Sequence, residues 1–303
     1  MTDRRGRIAA LLEGLIPDQK VLSTRLPGLR LFRLEHSFPR TPYSYTSEIL
    51  ILGQGKKRAF LGSEVYDYDP TRYLVLPVPL PMECEGFCEP GKPILGMTIA
   101  IDPIEVGELL LEMQDTKSNL PSLPRGIYDA PMSPALEDAA IRLLQALGDP
   151  EEAKILAPMT KRELVYRVLQ GEKGEVLQSV ALRNRRFFQI ARVLQRIHES
   201  CSRDFDIERM AHELNMSNST FHSAFKAVTG TSPLQYIKNV RLHKAQRLMV
   251  EAGLTAYSAA QKVGYESPSQ FTREYKRLFG VTPARDATTL RERRDVEVSV
   301  PPP

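Results

Sequence analysis

Two stretches of this 303-residue chain, aligned at an offset of 50 residues, each carry a set of polar side chains. The first offers Ser219, His222, Ser223 and Lys226; the second offers Ser269, Gln270, Arg273 and Lys276. Hydroxyl, imidazole, amide and guanidinium groups donate and accept hydrogen bonds in fixed directions. Shown together near a helix N-terminus, they suit the edges of base pairs in a major groove. Nothing in either stretch has the grouping of nucleophile, base and orienting acid that covalent catalysis needs.

These side chains need helices, and the surrounding sequence supplies them twice. Ser217-Asn-Ser-Thr-Phe-His-Ser-Ala-Phe-Lys-Ala-Val-Thr-Gly-Thr-Ser-Pro aligns with Ser267-Pro-Ser-Gln-Phe-Thr-Arg-Glu-Tyr-Lys-Arg-Leu-Phe-Gly-Val-Thr-Pro. Phe221 matches Phe271, Phe225 matches Tyr275, and Gly230 and Pro233 match Gly280 and Pro283. Upstream the offset becomes 49, pairing Ala211 with Ala260 and Asn215 with Gly264, so Glu266 is an insertion in the second copy. A duplicated unit implies a duplicated architecture. Each copy predicts a helix-turn-helix, with first helices near 206–214 and 256–263. Ala211 and Ala260 let two helices approach, and Asn215 and Gly264 tolerate a left-handed turn. Ser217 and Ser267 cap the second helices. The aromatic pairs, spaced i and i+4, form one apolar stripe and leave the polar face outward.

Between the units Ser232-Pro233 opens a helix that Gly253 stops. About 20 residues at roughly 1.5 Å each span about 30 Å. That approaches one DNA turn of roughly 34 Å, so the rod could place two recognition helices in successive grooves.

Charge is distributed accordingly. Residues 1–182 hold 21 Lys+Arg against 25 Asp+Glu, and residues 183–303 hold 20 against 12, so the halves carry −4 and +8. A basic half beside an acidic one suggests a polyanion partner. No run approaches the roughly 18 apolar residues of a membrane span, so no membrane partner is expected. The N-terminal apolar stretch contains Glu13 and predicts an amphipathic helix rather than a signal peptide. Three cysteines, Cys84, Cys88 and Cys201, make no secreted disulfide framework and predict a cytoplasmic location.

Residues 20–103 read as short strands, near 29–34, 47–52, 59–62, 73–76 and 94–101, of an antiparallel sandwich or barrel. Asp102-Pro103 opens a helix, and residues 116–134 form a Pro/Ser-rich connector. Helical segments follow near 135–147, 150–155, 160–170, 174–180 and 184–200, and the Pro-rich end reads as disordered.

The C-terminal motifs resemble the AraC/XylS family of transcription regulators over about 199–290. They are Met216-Ser217 through Gly230-Thr-Ser-Pro-Leu-Gln-Tyr236, Arg241-Leu242, and Val263-Gly-Tyr-Glu-Ser-Pro through Phe279-Gly-Val-Thr-Pro283. Upstream, Gly53-Gln-Gly-Lys-Lys, Pro93-Ile-Leu-Gly-Met and Arg162-Glu-Leu-Val-Tyr-Arg resemble the subgroup with an AraC-type N-terminal domain. The resemblance implies a multidomain α+β protein: a cupin-like β-barrel for sensing or dimerisation (1–115) and a linker with helical connector (116–198). A double helix-turn-helix domain (199–290) and a disordered tail (291–303) complete it. It implies base reading by Ser219, His222, Ser223, Ser269, Gln270 and Arg273, and phosphate contacts by Lys226, Thr231, Thr272 and Lys276. The first set is short-chained, which points to phosphate contacts and DNA shape in that unit. The implied partners are double-stranded DNA, a small-molecule effector, RNA polymerase and a second copy of the chain; no cofactor is implied.

Other constellations are weaker. Gly53-Gln-Gly-Lys-Lys57 lacks the first Gly and the final Ser/Thr of a phosphate loop and reads as a hairpin turn. A cupin-type enzyme would gather several histidine and carboxylate ligands, but His36 is the one histidine before His198. Cys84-Glu-Gly-Phe-Cys88 offers a second reading as a redox or electrophile sensor, although the flanking carboxylates raise thiol pKa values. His36, Tyr43, Tyr45, Cys84 and Cys88 are the candidates for an effector pocket. A third reading, a protein-binding helical adaptor, would not need the recognition faces.

Overall fold

The computed structural model describes residues 3–18, 21–113, 123–181 and 186–296, without the side chains of 292–296. Helix α1 (Arg4–Leu15) precedes strands β1 (Val21–Ser23), β2 (Leu29–Leu34), β3 (Phe38–Tyr45), β4 (Glu48–Gln54), β5 (Lys56–Leu61), β6 (Glu64–Tyr68), β7 (Arg72–Leu76), β8 (Leu80–Phe87) and β9 (Ile94–Ala100). Helix α2 (Pro103–Met113) and strand β10 (Tyr128–Pro131) follow. The remainder is helical: α3 (Pro134–Leu147), α4 (Pro150–Gln170), α5 (Gly174–Gln178), α6 (Arg186–Glu199), α7 (Ile207–Glu213), α8 (Asn218–Thr229), α9 (Pro233–Glu251), α10 (Ala256–Lys262), α11 (Pro268–Phe279) and α12 (Pro283–Val296).

The expected multidomain α+β class holds, but the N-terminal barrel is not closed. Its strands form two antiparallel sheets, β1-β2-β9-β4-β7-β10 and β3-β8-β5-β6. One edge of the smaller sheet, β3, faces helices α9 and α11 rather than another strand. The larger sheet is covered on both faces, so β4 and β9 read as continuous apolar runs, both buried over six residues. Helix α1 lies against Gly53 of β4, where an added Cβ would fall 2.7 Å from Leu12. The smaller sheet has one open face, and β5 accordingly alternates between half-buried and buried positions.

Strands β1, β3, β6, β8 and β10 escape the sequence reading. Strand β3 contains Pro39 and Pro42, tolerated because it is an edge strand. Strand β8 hides behind Pro81 and Gly86; a Cβ on Gly86 would lie 2.3 Å from the Phe38 ring. Strand β6 has one buried position among its five. Strand β10, from the segment read as connector, pairs with β7 and carries the sheet past residue 115. Residues 116–122 of that connector and 297–303 of the tail lie outside the described residues. Helix α4 runs unbroken through Pro158, expected to divide it. Lys154, whose carbonyl the proline leaves without its helical donor, is exposed to water.

One apolar core runs from α1 through the sheets and α3–α6 into α8 and the first half of α9, ending at Val240. A second, smaller core starts at Leu242 on the same helix and includes Ala260, Val263, Phe271 and Tyr275. The first helix-turn-helix therefore shares its core with the sheet domain, while the second has its own.

Candidate nucleic-acid interface

The two C-terminal units are built alike. In the first, Asp206 caps α7 and Ser217 caps α8 by accepting from Thr220 N–H at 3.2 Å. In the second, Thr255 caps α10 and Ser267 caps α11 by accepting from Gln270 N–H at 3.3 Å. The turns pass through Asn215 (φ 54°) and Gly264 (φ 84°), the two positions expected to be left-handed. Ala211 and Ala260 are buried where the helix pairs meet. The stripes Phe221/Phe225 and Phe271/Tyr275 hold ring centroids 5.7 and 5.5 Å apart. Gly230 and Gly280 end the second helices in the left-handed conformation.

Outward from these stripes, Ser219, His222 and Ser223 on α8 and Ser269 and Arg273 on α11 are exposed. Gln270 differs: it is half-buried, and its Nε2 donates to Glu274 Oε1 at 3.2 Å. Lys226 and Lys276 are exposed. The Thr272 hydroxyl donates back to Pro268 O at 2.9 Å, and Thr231 is half-buried beside Thr229.

The sequence reading missed Glu274, which occupies the place of Ala224 in the first unit and is buried. Burial raises its carboxyl pKa, but Lys238 (2.7 Å), Tyr265 OH (2.7 Å) and Gln270 outweigh that and hold it below the ordinary range. The signal was a charged residue inside the apolar stripe of α11. Its bond to Lys238 ties α11 to the linking helix α9.

Arg241 fixes one unit against the other. Its guanidinium donates to Cys201 O (2.8 Å), Arg203 O (2.9 Å) and Gly264 O (3.1 Å). The loop before α7 and the turn before α11 are thus held by one planar fork. They also touch: a Cβ on Gly264 would lie 2.5 Å from Ser202 O. Helix α9, 19 residues long, spans roughly 28 Å.

The sheet domain grips the other end of α8. Arg125, ahead of β10, donates to Lys226 O and Ala227 O, both at 2.8 Å, and pairs with Glu64 of β6. Gly126 N–H donates to Val228 O at 2.9 Å. Three carbonyls of the last turn of α8 are therefore taken by the connector. A Cβ on Gly126 would lie 2.4 Å from Val78, so glycine is needed for this approach. Nearby, Tyr236 OH donates to Pro79 O and lies 2.9 Å from His198 Nε2. Burial lowers the pKa of His198 to about 4, keeping the ring neutral.

The effector-pocket candidates do not form one group. Tyr45 and Cys84 are buried between the sheets, with Tyr45 OH 3.2 Å from Tyr68 OH. Tyr43 is half-exposed at 48 %, His36 is exposed, and Cys88 lines a groove of about 560 Å³ with Gln54 and Lys92. Cys88 lies four positions beyond Cys84, just past the end of extended β8, roughly 13 Å away, beyond disulfide reach. Burial pushes the Cys84 thiol up. This geometry opposes the redox reading.

Lys57 was not singled out in the sequence. Its neighbours Lys56 and Arg58 point outward and pair with Asp67 at 3.2 and 2.9 Å. Lys57 points inward, and its Nζ lies 5.3–5.9 Å from the ring centroids of Phe32, Phe38, Tyr45 and Tyr68. Among the described residues no carboxylate lies within 4 Å of it. Also among the described residues, no His, Cys, Asp and Glu cluster suits a metal, and no helix is long and apolar enough to cross a membrane.

Residues 25–176 match the family described as the AraC-type transcriptional regulator N-terminus, and residues 210–288 match a helix-turn-helix domain. The chain belongs to the AraC-type transcriptional regulators. This AraC-type regulator is 26 % identical over 271 residues to the virulence regulon transcriptional activator VirF of Yersinia enterocolitica, covering 87 % of this chain and 98 % of VirF. It is 26 % identical over 246 residues to the thermoregulatory protein LcrF of Yersinia pestis, covering 80 % and 89 %. The apo form of a ToxT variant from Vibrio cholerae shares its fold, with TM-score 0.59 at 12 % identity, covering 90 % of this chain and 98 % of that one. The duplicated motif thus belongs to a sequence-specific, DNA-binding regulator of transcription.

Proposed function

We propose that this regulator binds double-stranded DNA through α8 and α11 in successive major grooves and activates transcription when its sheet domain takes up a small-molecule effector. The observation that carries the reading is the pair of exposed polar faces on matching helices, held in register by Arg241. Arg273 is the principal base reader, with Ser219, His222, Ser223 and Ser269 beside it. Gln270 reads a base once its bond to Glu274 opens. Lys226, Lys276, Thr231 and Thr272 serve phosphates. RNA polymerase is the partner through which activation proceeds, a second copy of the chain is the other protein partner, and the site of action is the cytoplasm. The protein performs no catalysis of its own.

The effector site lies between the sheets, where Lys57 and its aromatic neighbours suit the carboxylate and the apolar body of an amphipathic acid. One solved ToxT structure holds an unsaturated fatty acid. Site selection from random DNA at two salt concentrations tests the DNA reading; two short blocks one turn apart are expected, and recovery of no preferred sequence refutes it. Calorimetry with a long-chain unsaturated fatty acid tests the effector reading. Binding that disappears in Lys57→Met supports it; no binding to the unmodified protein, or equal binding by both, refutes it.

A further inference from the structure

Gln270 differs from the other base readers in being tied to a buried carboxylate. It opens α11 one turn before Arg273 and Glu274, so it shares a face with Arg273 and meets Glu274 on the side of the core. Its Nε2 donates to Glu274 Oε1 at 3.2 Å. The same carboxylate accepts from Lys238 Nζ on α9 at 2.7 Å and from Tyr265 OH at 2.7 Å. Donors from two other parts of the fold thus pin a side chain that is itself buried. The first unit has no such group: Ala224 stands in place of Glu274 and Thr220 in place of Gln270. The Thr220 hydroxyl lies 2.9 Å from that of its own helix cap, Ser217.

An ionised carboxylate accepts hydrogen bonds and donates none. Burial opposes the charge on Glu274, but Lys238, Tyr265 and Gln270 outweigh it and keep the carboxyl ionised at neutral pH. The two ends of the Gln270 amide are therefore not equivalent. The nitrogen end can face Glu274, whereas turning the amide over would set its oxygen against the charged Oε1. The oxygen end is left for the groove, and among the described residues no side chain donates to it. Adenine and cytosine show an amino group in the major groove, while guanine shows two acceptors and thymine an acceptor and a methyl group. A carbonyl oxygen bonds the first two bases and is repelled by the acceptors of the others. Adenine gains twice, because once the bond to Glu274 opens, Nε2 turns to N7 while the oxygen keeps the amino group. Without the carboxylate, Lys238 would draw the amide oxygen inward, and the NH2 would face outward to donate to guanine.

We infer that Glu274 is a positioning residue that sets the specificity of Gln270, making it a reader of amino bases, adenine first, and closing it to guanine and thymine. This rests on the DNA-binding reading and names the base class that one of its readers takes. Lys238 and Tyr265 serve the same end by keeping the carboxylate in place. Selectivity at one base pair is thereby set by a buried side chain that DNA does not touch.

Site selection from random DNA with the full chain tests it, read as base frequencies at each position. Gln270→Ala should relax one position, and there the unmodified protein should favour adenine or cytosine over guanine or thymine by at least about fivefold. Two variants release the amide: Glu274→Ala, which copies the first unit, and Glu274→Met, which fills the space without an acceptor. Both should admit guanine at that position and leave the others, the one read by Arg273 among them, as they were. Unchanged selection elsewhere shows that α11 still docks and separates lost orientation from lost fold. Gln270→Ala/Glu274→Ala should match Gln270→Ala at that position, since the carboxylate acts only through the amide. Four results would overturn the assignment: guanine or thymine at that position in the unmodified protein, no position relaxed by Gln270→Ala, an undiminished amino preference in both Glu274 variants, or selection lost at every position in both. Recovery of no preferred sequence by the unmodified protein would instead refute the DNA-binding reading itself.

Discussion

Replacing Gly264 by alanine should unlock the second DNA-reading unit from the first. Two costs add. A residue with a Cβ at φ 84° is strained, by roughly 1–2 kcal/mol. The Cβ would also lie 2.5 Å from Ser202 O, a backbone atom on a loop that Arg241 anchors at Cys201 and Arg203. Forcing volume into such a contact costs roughly 1–3 kcal/mol. The sum, about 2–5 kcal/mol, is a large part of a typical domain stability of roughly 5–15 kcal/mol. Because this unit has its own core, the loss should appear as an early transition confined to it. Urea unfolding followed by hydrogen exchange resolves the two units. DNA affinity, by fluorescence anisotropy, should fall at least about tenfold on a two-block site and little on a site with the first unit's block alone. Asn215→Gly, at φ 54° in the first unit, is the control, with a change below about 1 kcal/mol. A Gly264→Ala protein within about 0.5 kcal/mol of the original, binding the two-block site equally, would refute the close-packed junction.

Arg273→Ala should cost about 1–3 kcal/mol on the preferred site and relax selection at one base position, while Lys226→Ala should weaken all sites alike and lower the salt slope by about 1; titrations across salt on matched and mismatched sites distinguish them. Arg125→Ala removes two bonds to α8 carbonyls and an ion pair to Glu64 that is half-exposed and contributes little. Amide exchange in the last turn of α8 should rise by on the order of tenfold, from about 1.5 kcal/mol of lost charged hydrogen bonding. His198 and His243 both have pKa values lowered to about 4 by burial, His243 also by the charge of His198. Each is protonated in the unfolded chain below about pH 6.5 but not in the folded protein. Stability should therefore be full above about pH 6.5 and fall toward pH 4, by up to about 3 kcal/mol per histidine. Denaturant midpoints across that window, with and without His198→Gln, check the direction. Cys84→Ser/Cys88→Ser should leave DNA binding unchanged under peroxide, measured by anisotropy.

Local rules carry the C-terminal module. Caps at Ser217 and Ser267, left-handed turns at Asn215 and Gly264 and aromatic pairs spaced by four are short-range demands, so they stand in the residue order itself. The doubly covered strands β4 and β9 were legible as apolar runs for the same reason. Strands β3, β6, β8 and β10 were not, because prolines, a glycine or too few buried positions are explained only by neighbours brought from far along the chain. In the sequence Gln270 reads as free as Arg273, because no local pattern shows that Glu274 is buried beside it.

The amino-acid sequence by itself determined the two helix-turn-helix units, the linking rod and the polar faces they present, since each follows from periodicity, capping and turn chemistry within a dozen residues. Only the tertiary structure decided how those units are held. Arg241 reaches three carbonyls on two separate turns, Arg125 closes the end of α8 from about a hundred residues away, and Lys57 faces inward among rings from other strands. A side chain's partners across the fold depend on the packing of surfaces that no local pattern encodes.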